Sequence, residues 1–557
     1  MQRDTQEISA LIDNLPRSSL HKVRRQVEDR LYVDVIGLLP DEVALLSLQF
    51  LSCDDLLNCR LVSRRWCVLA DDSTLWKRLC ATKGWQWKDP SLPRHACTPD
   101  AVYPDTDDEG MGDEEEEEGM IIDPISFGNS GNASPIDTSN LNDRFDNLSS
   151  LLTVPGSSSC SRTPLSNTYP VSGSPLNSAR HHPAAPNWKL LYMTHALLYR
   201  RFQTGSYHLS HLQSRGAPRS HTSTIYCLQL YTYPETGLQV LFTGSRDRTI
   251  REWDLSNGRV LRVIDVVHAG SVLSLCARDG LLASAGSDGR TVLYDLNSGK
   301  AKAVMQDHED SVLCVRLNGQ FLASCSKDRS IRVYRMPNLT LHLVLSGHRA
   351  AVNTIQLSHS HVISASGDKS VRIWNVQTGA EEKVLENHHC RGIAAIDAEY
   401  PVLVTGSSDK HIRLFDLETE QGWSTSAEYD SQASVPVSAP SLNGDASSLE
   451  AILLCQNCGS SAGQPCNGVR REECAHKELV RTVAMNTDFV VSGSYDHRIK
   501  IWCRKTGRQV ADLTGGHTGR VFCIDFDHTK IVSAGEDKQI CIWSFAHGGL
   551  DTSFMLL

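Results

Sequence analysis

A histidine and an aspartate twenty residues apart recur along this chain, and that spacing constrains the fold more than any other feature. His268, His308, His348 and His389 are followed at that distance by Asp288, Asp328, Asp368 and Asp409, and His476–Asp496 and His517–Asp537 repeat the step. Six residues after each aspartate stands an aromatic: Tyr294, Tyr334, Trp374, Phe415, Trp502 and Trp543. Four residues before it stands a hydroxyl: Ser284, Ser324, Ser364, Thr405, Ser492 and Ser533. A seventh unit, His221, Thr243, Asp247 and Trp253, keeps the later spacings, its first loop lengthened by YTYPETGLQV. Such a period is the mark of a repeat architecture. Between the anchors, alternating stretches such as VRIW and IKIW read as strands. The aspartate, in a tight strand-to-strand turn, can accept the imidazole N–H. The hydroxyl lies between, and the aromatic N–H or O–H closes the network where there is one. Each unit thus satisfies polar groups that would otherwise be buried unpaired. These histidines and aspartates therefore read as structural, not catalytic.

The pattern resembles the WD-repeat family, and seven units imply a mainly β fold, a seven-bladed β-propeller over residues 204–547. The stretch TGSYHLSHLQ, residues 204–213, resembles the strand that precedes each later histidine. It is expected to supply the outer strand of the last blade, closing the ring without an unpaired internal edge.

Residues 88–186 are the opposite kind of sequence, rich in Ser, Pro, Asn, Gly and acid. Such a stretch cannot bury enough apolar surface to offset its ordering entropy, so it is expected to be a disordered acidic linker. Twelve acidic residues and no Lys or Arg lie between Asp100 and Asp123; of the net charge of -10, the rest of the chain contributes +2. The linker also holds Thr98-Pro99, Ser134-Pro135, Thr163-Pro164 and Ser174-Pro175, candidates for proline-directed phosphorylation. Helical periodicity returns at 187–203. With no overall basic balance, nucleic acid is not an expected partner. The absence of a long apolar run argues against a membrane span, and MQRDTQEISA is no signal peptide. Cys227, Cys276, Cys314 and Cys523 sit singly in apolar strands, as free thiols do in a reducing compartment, so the expected location is cytoplasm or nucleus.

Residues 39–79 carry a second signal within a segment at 37–87. Pro40 suits a helix start, with Asp41 and Glu42 in its positive first turn. Val43, Leu46, Phe50 and Leu51 recur at helical spacing; a second helix begins near Asp54 and a third runs through Trp66. On Leu39-Pro40, Leu51, Asp55-Leu56, Leu61-Val62, Trp66 and Leu75-Trp76 the segment resembles the F-box, a small all-α domain. About 45 residues are few for a self-sufficient core, yet this segment is rich in Leu, Val and Trp. It is expected to bury part of that surface on a partner. The resemblance implies that the partner is the Skp-type adaptor, and through it a cullin and a RING subunit. Leu39, Pro40, Val43, Leu51, Leu56, Leu61, Val62 and Trp66 would form or support the contact. Residues 1–36, with apolar stripes at Ile8–Leu15 and Leu20–Leu31, are expected to be helical and to mediate homodimerisation or pack on the F-box.

Within the repeats, CSKDRSIRVY, GHRAAVNTIQL, VISASGDKSVRIWN, RGIAAI and HTGRVFCIDF resemble the beta-transducin-repeat-containing proteins, which recognise a doubly phosphorylated Asp-Ser-Gly-x-x-Ser peptide on the narrow propeller face. In a WD repeat the residue before the turn aspartate and the residue five after the histidine face that surface. The first set is Arg246, Ser287, Lys327, Gly367, Ser408, Tyr495 and Glu536. The second is Tyr226, Leu273, Leu313, Asn353, Ala394, Arg481 and Phe522. Arg suits phosphate because its planar fork donates two hydrogen bonds at once. The resemblance implies peptide contacts at Tyr226, Arg246, Ser271, Ser287, Arg391, Gly392, Arg481, Tyr495 and Arg520. Lys327 and Asn353 lie on the same face.

An insertion at 419–475 carries Cys455-x-x-Cys458, Cys466 and Cys474, a spacing that fits no familiar zinc finger. No metal or cofactor is expected. No phosphate-binding Gly-rich loop or nucleophile–base set is apparent either. The expected role is a non-catalytic substrate receptor of a Skp–cullin–F-box ubiquitin ligase for phosphorylated proteins, the alternative being a WD-repeat scaffold.

Overall fold

The computed structural model describes residues 34–88, 186–213, 219–264, 268–426 and 475–555, together with four isolated positions before residue 23. The helical segment expected over 1–36, the linker at 89–185 and Cys455, Cys458, Cys466 and Cys474 of the insertion therefore lie outside the described residues, wholly or nearly so.

Seven four-stranded antiparallel sheets follow one another. Blade 1 runs from the strand Ile225–Thr232 to Val260–Ile264, and blade 6 from Val480–Met485 to Gln509–Leu513. Blade 7 has three strands from its own stretch of chain, Val521–Phe526, Lys530–Gly535 and Ile540–Ser544; its fourth is His208–Gln213, antiparallel to Ile540–Ser544. The ring thus closes between its two ends, with the closing strand inside the range expected. Blade 5 ends on the short strand Gly422–Ser424, which pairs with Ile412–Asp416. The insertion expected from residue 419 thus begins later. Buried Trp423, whose indole donates to the Arg504 carbonyl at 2.7 Å, ties this strand to blade 6.

The repeat chemistry explains why each blade holds. In all seven, the histidine Nδ1 lies 2.7–3.0 Å from its aspartate, and Nε2 lies 2.8–2.9 Å from the Ser or Thr hydroxyl. Trp253, Trp374, Trp502 and Trp543 donate into the same hydroxyls at 2.8–2.9 Å. A neutral imidazole lets every group donate to the next: indole to hydroxyl, hydroxyl to Nε2, Nδ1–H to carboxylate. The two tyrosines depart from this expectation. Tyr334 reaches past its serine to Asp307 at 2.8 Å, and the buried Tyr294 hydroxyl has no partner of good hydrogen-bond geometry among the described residues. A phenol carries its O–H at the far end of the ring, whereas indole carries its N–H on the flank. In blade 5, where Phe415 has no donor, His388 supplies one to Thr405 at 3.1 Å.

Burial holds six of these histidines below their usual range: His221, His268, His308, His348, His389 and His476. Burial alone would raise the aspartates, but hydrogen bonds from the turn and the histidine outweigh it; Asp328, Asp409 and Asp496 fall to about 2. Both depressions act in the same direction, because the unfolded chain binds more protons as pH falls. The stability they contribute is complete above about pH 6.5, the unfolded histidine value, and is lost as pH falls toward the folded values. Buried Asp397 and Asp525, the latter pushed up by burial to about 7, act the opposite way but are outnumbered. The thermal midpoint is expected to drop steadily below pH 6.5. A midpoint unchanged between pH 7.5 and 5 would contradict this account.

After a single helical turn at Val35–Leu38, the N-terminal segment has four longer helices: α1 (Asp41–Leu48), α2 (Cys53–Cys59), α3 (Arg64–Ala70) and α4 (Ser73–Thr82). Ser52, Ser63 and Asp72 cap the last three by accepting from a backbone N–H inside the first turn. Pro40 precedes α1, its carbonyl accepting the first helical bonds. Ala44, Leu48, Leu56, Leu69, Ala70, Leu75 and Trp76 form the core. Helix α5 (Trp188–Thr204) joins this core to the ring. Tyr192 meets Trp76 edge-on at 5.6 Å, and Phe202, further along, stacks on Phe545 at 3.7 Å. The 17 residues of α5 bury one stripe, Leu191, Thr194, His195, Leu198 and Phe202.

Candidate functional site

The residues five after each histidine, Tyr226, Leu273, Leu313, Asn353, Ala394, Arg481 and Phe522, all line one central channel of about 360 Å³. Their positions follow from the repeat: each lies on the innermost strand of its blade. The residues before the turn aspartates are tied to the same mouth, because the N–H of each donates to the carbonyl three residues after the histidine. The pairs are Arg246 to Thr224, Ser287 to Ser271, Lys327 to Ser311, Gly367 to Ala351, Ser408 to Gly392, Tyr495 to Leu479 and Glu536 to Arg520.

Deeper in the channel the polar side chains are engaged between blades. Arg316 donates to Gln356 at 3.1 Å, and Gln356 to Asp397 at 2.6 Å. Asp397 and Asp525 accept the N–H groups of Met485 and Leu230 on the next blades, each at 2.8 Å. These groups bind the ring together, so the chemistry open to a ligand is at the mouth.

The cations there differ. Arg246 and Arg391 are exposed and Arg481 half-buried, and none has a carboxylate within ion-pair distance among the described residues. The Arg481 guanidinium makes one long contact, Nη1 to the Ala394 carbonyl at 3.5 Å. Lys327 and Arg520, by contrast, each stand 4.0 Å from a carboxylate, Asp310 and Glu536. Arg520 also lies over the Tyr495 ring at 5.0 Å. Tyr495 and Tyr226 both meet Phe522 edge-on, at 5.5 and 5.4 Å. This aromatic wall was not apparent from the sequence, in which Tyr226 and Tyr495 stand only as expected peptide contacts. Ser271 and Ser287 are joined, the Ser271 N–H donating to the Ser287 hydroxyl at 2.8 Å. Asn353 spans to the next blade through the Ile393 carbonyl at 2.6 Å. Gly392 is a packing requirement as well as a surface position: a Cβ there would come 3.1 Å from the Gly367 Cα.

The helical segment presents a different surface. Leu38, Val43, Leu46, Phe50, Leu61, Val62 and Val68 are between 43 and 84% exposed, half of all exposed large apolar side chains among the described residues. Of the residues expected to serve a partner, Pro40, Val43, Leu61 and Val62 are exposed, and Leu39, Leu51 and Trp66 half-buried. Leu56 is buried, so of the two roles expected it supports the fold beneath the surface and does not form the surface itself. Leu39 is anchored through its carbonyl to Arg65 at 2.5 Å, and Trp66 donates to Asp34 at 2.7 Å.

Comparison with known proteins agrees with both parts. Residues 36–82 match the F-box-like family. Residues 213–254, 299–335, 339–375, 379–416, 470–503 and 507–544 match the WD domain, G-beta repeat. The chain joins an F-box to WD repeats. Blade 2 is not among the matched segments, yet His268, Ser284 and Asp288 keep the full geometry. The F-box/WD repeat-containing protein 7 of Drosophila melanogaster is 37% identical over 73 residues, 13% of this chain and 6% of that protein. The cell division control protein 4 of Candida albicans is 26% identical over 154 residues, 27% of this chain and 18% of that protein. The mitochondrial division protein 1 of Saccharomyces cerevisiae (strain YJM789) is 30% identical over 127 residues, 18% of each. The matched segments thus span less than a fifth of these relatives' own lengths. Among the described residues no helix is long and apolar enough to cross a membrane.

Proposed function

We propose that this chain is the substrate receptor of a Skp–cullin–F-box ubiquitin ligase, binding doubly phosphorylated peptides of the Asp-Ser-Gly-x-x-Ser type at the channel mouth. The observation that carries this is that two unsatisfied surfaces occur on one connected body. The exposed F-box leucines and valines suit an apolar protein partner, the Skp-type adaptor. Arg246, Arg391 and Arg481, free of carboxylate partners among the described residues, suit phosphate. Tyr226, Ser271, Ser287 and Tyr495 stand beside them as neutral groups, while Lys327 and Arg520 can exchange a distant carboxylate for a nearer phosphate. The role is proximity: substrate is brought to the conjugating machinery, and the chain itself performs no chemistry.

Purification of the full chain from cells, with and without phosphatase, tests this reading. The adaptor and a cullin are expected in both samples, and a set of phosphoproteins only in the untreated one. Absence of adaptor and cullin from both would favour the scaffold reading instead. An identical partner set after phosphatase would remove phosphate recognition.

A further inference from the structure

The seven turns that hold the aspartates share one geometry. The residue after each aspartate donates its N–H to the carbonyl three residues back, for example Arg248 to Ser245 and Lys369 to Ser366. That residue then takes a left-handed backbone. Hairpin loops of this kind ordinarily place glycine there, since a Cβ is strained at positive φ. Blade 2 does so with Gly289. The other six blades carry Arg248, Arg329, Lys369, Lys410, His497 and Lys538, at φ between 61° and 74°. Five of the seven strained positions are therefore occupied by Arg or Lys and a sixth by His, where a neutral glycine would fit with less strain.

Each of these residues lies two positions beyond a residue of the channel mouth, so together they form an outer rim around it. The position falls at the seam between blades: a Cβ on Gly289 would lie 3.4 Å from the His308 carbonyl of blade 3. Arg248, Arg329, Lys369 and Lys410 are exposed, and no carboxylate lies within ion-pair distance of them among the described residues. Cations on the flanks of the blades, such as Arg262, Arg372, Lys383 and Arg504, do have acidic partners.

We propose that this rim is a second contact zone, one that takes the acidic residues flanking a bound phosphopeptide. This rests on the phosphopeptide reading above. A peptide seated at the mouth must leave across the rim, because the seven loops encircle the channel. Its flanks would there meet Arg248, Arg329, Lys369 and Lys410, whose charge no carboxylate among the described residues pairs with. Exposed pairs of this kind are individually weak and salt-sensitive, so the rim would act by number.

The left-handed backbone gives a clean test. Arg329→Gly, Lys369→Gly and Lys410→Gly remove the charge and also relieve the strain, so the triple variant should fold at least as well as the parent. Affinity of the full chain would be measured for a doubly phosphorylated Asp-Ser-Gly-x-x-Ser peptide with glutamate-rich or with Gly/Ser flanks. The parent is expected to prefer the acidic flanks at least about fivefold at low salt, an advantage that shrinks with added salt. The triple variant should lose that preference and keep its affinity for the neutral-flanked peptide. Equal binding of both peptides by the parent, or an undiminished preference in the variant, overturns the rim. If the neutral-flanked phosphopeptide does not bind the parent at all, the phosphopeptide reading fails by itself. The rim then stands or falls on whether an unphosphorylated glutamate-rich peptide binds the parent and not the variant. Tighter binding to duplex DNA or to phosphatidylserine vesicles, lost in the variant, would overturn the acidic-peptide assignment.

Discussion

Replacing Arg481 with alanine is expected to weaken binding of the doubly phosphorylated peptide by about tenfold to a hundredfold and to leave the thermal midpoint nearly unchanged. The asymmetry comes from what the side chain does in the free protein. Its one hydrogen bond is long, 3.5 Å to the Ala394 carbonyl, and no carboxylate pairs with it among the described residues. Removing it therefore costs the fold little. Hydrogen bonds to a charged partner contribute on the order of 1.5–3 kcal/mol each, and about 1.4 kcal/mol is a tenfold change. Arg246→Ala should behave alike, its guanidinium being exposed. Arg246→Lys should recover part of the loss, because an ammonium cannot make the two-pronged contact. The double variant adds a further reading. If the two arginines serve different phosphates, their effects add; if they clamp the same one, the double loss falls short of the sum. Calorimetry with doubly, singly and unphosphorylated peptides checks all of this, and equal affinity for the three would refute phosphate recognition.

How much of this was legible beforehand depended on whether partners lie at fixed offsets. The His–Asp–hydroxyl networks were readable because the same offsets join the same blade positions seven times. The channel-lining set was readable for the same reason, one residue per blade at a constant distance from the histidine. The closing strand His208–Gln213 betrayed itself by resembling its counterparts. Contacts that depend on side-chain reach were not readable. Spacing puts Arg246 and Lys327 at the same repeat position, yet only Lys327 stands near a carboxylate, Asp310, and no spacing shows that Arg520 lies over Tyr495. The departures of Tyr334 and His388 likewise follow from ring shape and an extra local histidine. The strand Gly422–Ser424 was hidden because three residues are too few to show alternation. In and just beyond α1, helical spacing marked Val43, Leu46 and Phe50 as apolar but could not say what they face; the segment's own core takes Ala44 and Leu48 instead.

That distinction decides how the F-box should be tested. Leu61→Ala with Val62→Ala is expected to abolish co-purification of the adaptor and cullin while the chain stays folded. Leu61 is 84% and Val62 61% exposed, so neither supports the core, and truncating them opens no cavity. If they are instead buried against a partner, each stands to lose the burial of a large aliphatic side chain, about 1.5–3 kcal/mol apiece. Together that is more than a hundredfold in affinity. Phe50→Ala, at 79% exposure, should weaken the complex in the same way, although its ring also packs under Arg78 at 5.7 Å. Leu56→Ala provides the contrast. This side chain is buried in the F-box core, where truncation costs about 2–5 kcal/mol, enough to unfold a domain this small. Its loss of adaptor binding should be accompanied by loss of helix signal and new protease sensitivity between residues 40 and 82. The Leu61/Val62 variant should show neither, and its affinity for phosphopeptide should be that of the parent, since the channel mouth is untouched. Adaptor and cullin that still co-purify undiminished with the Leu61/Val62 variant would show that this face of the F-box is not the contact.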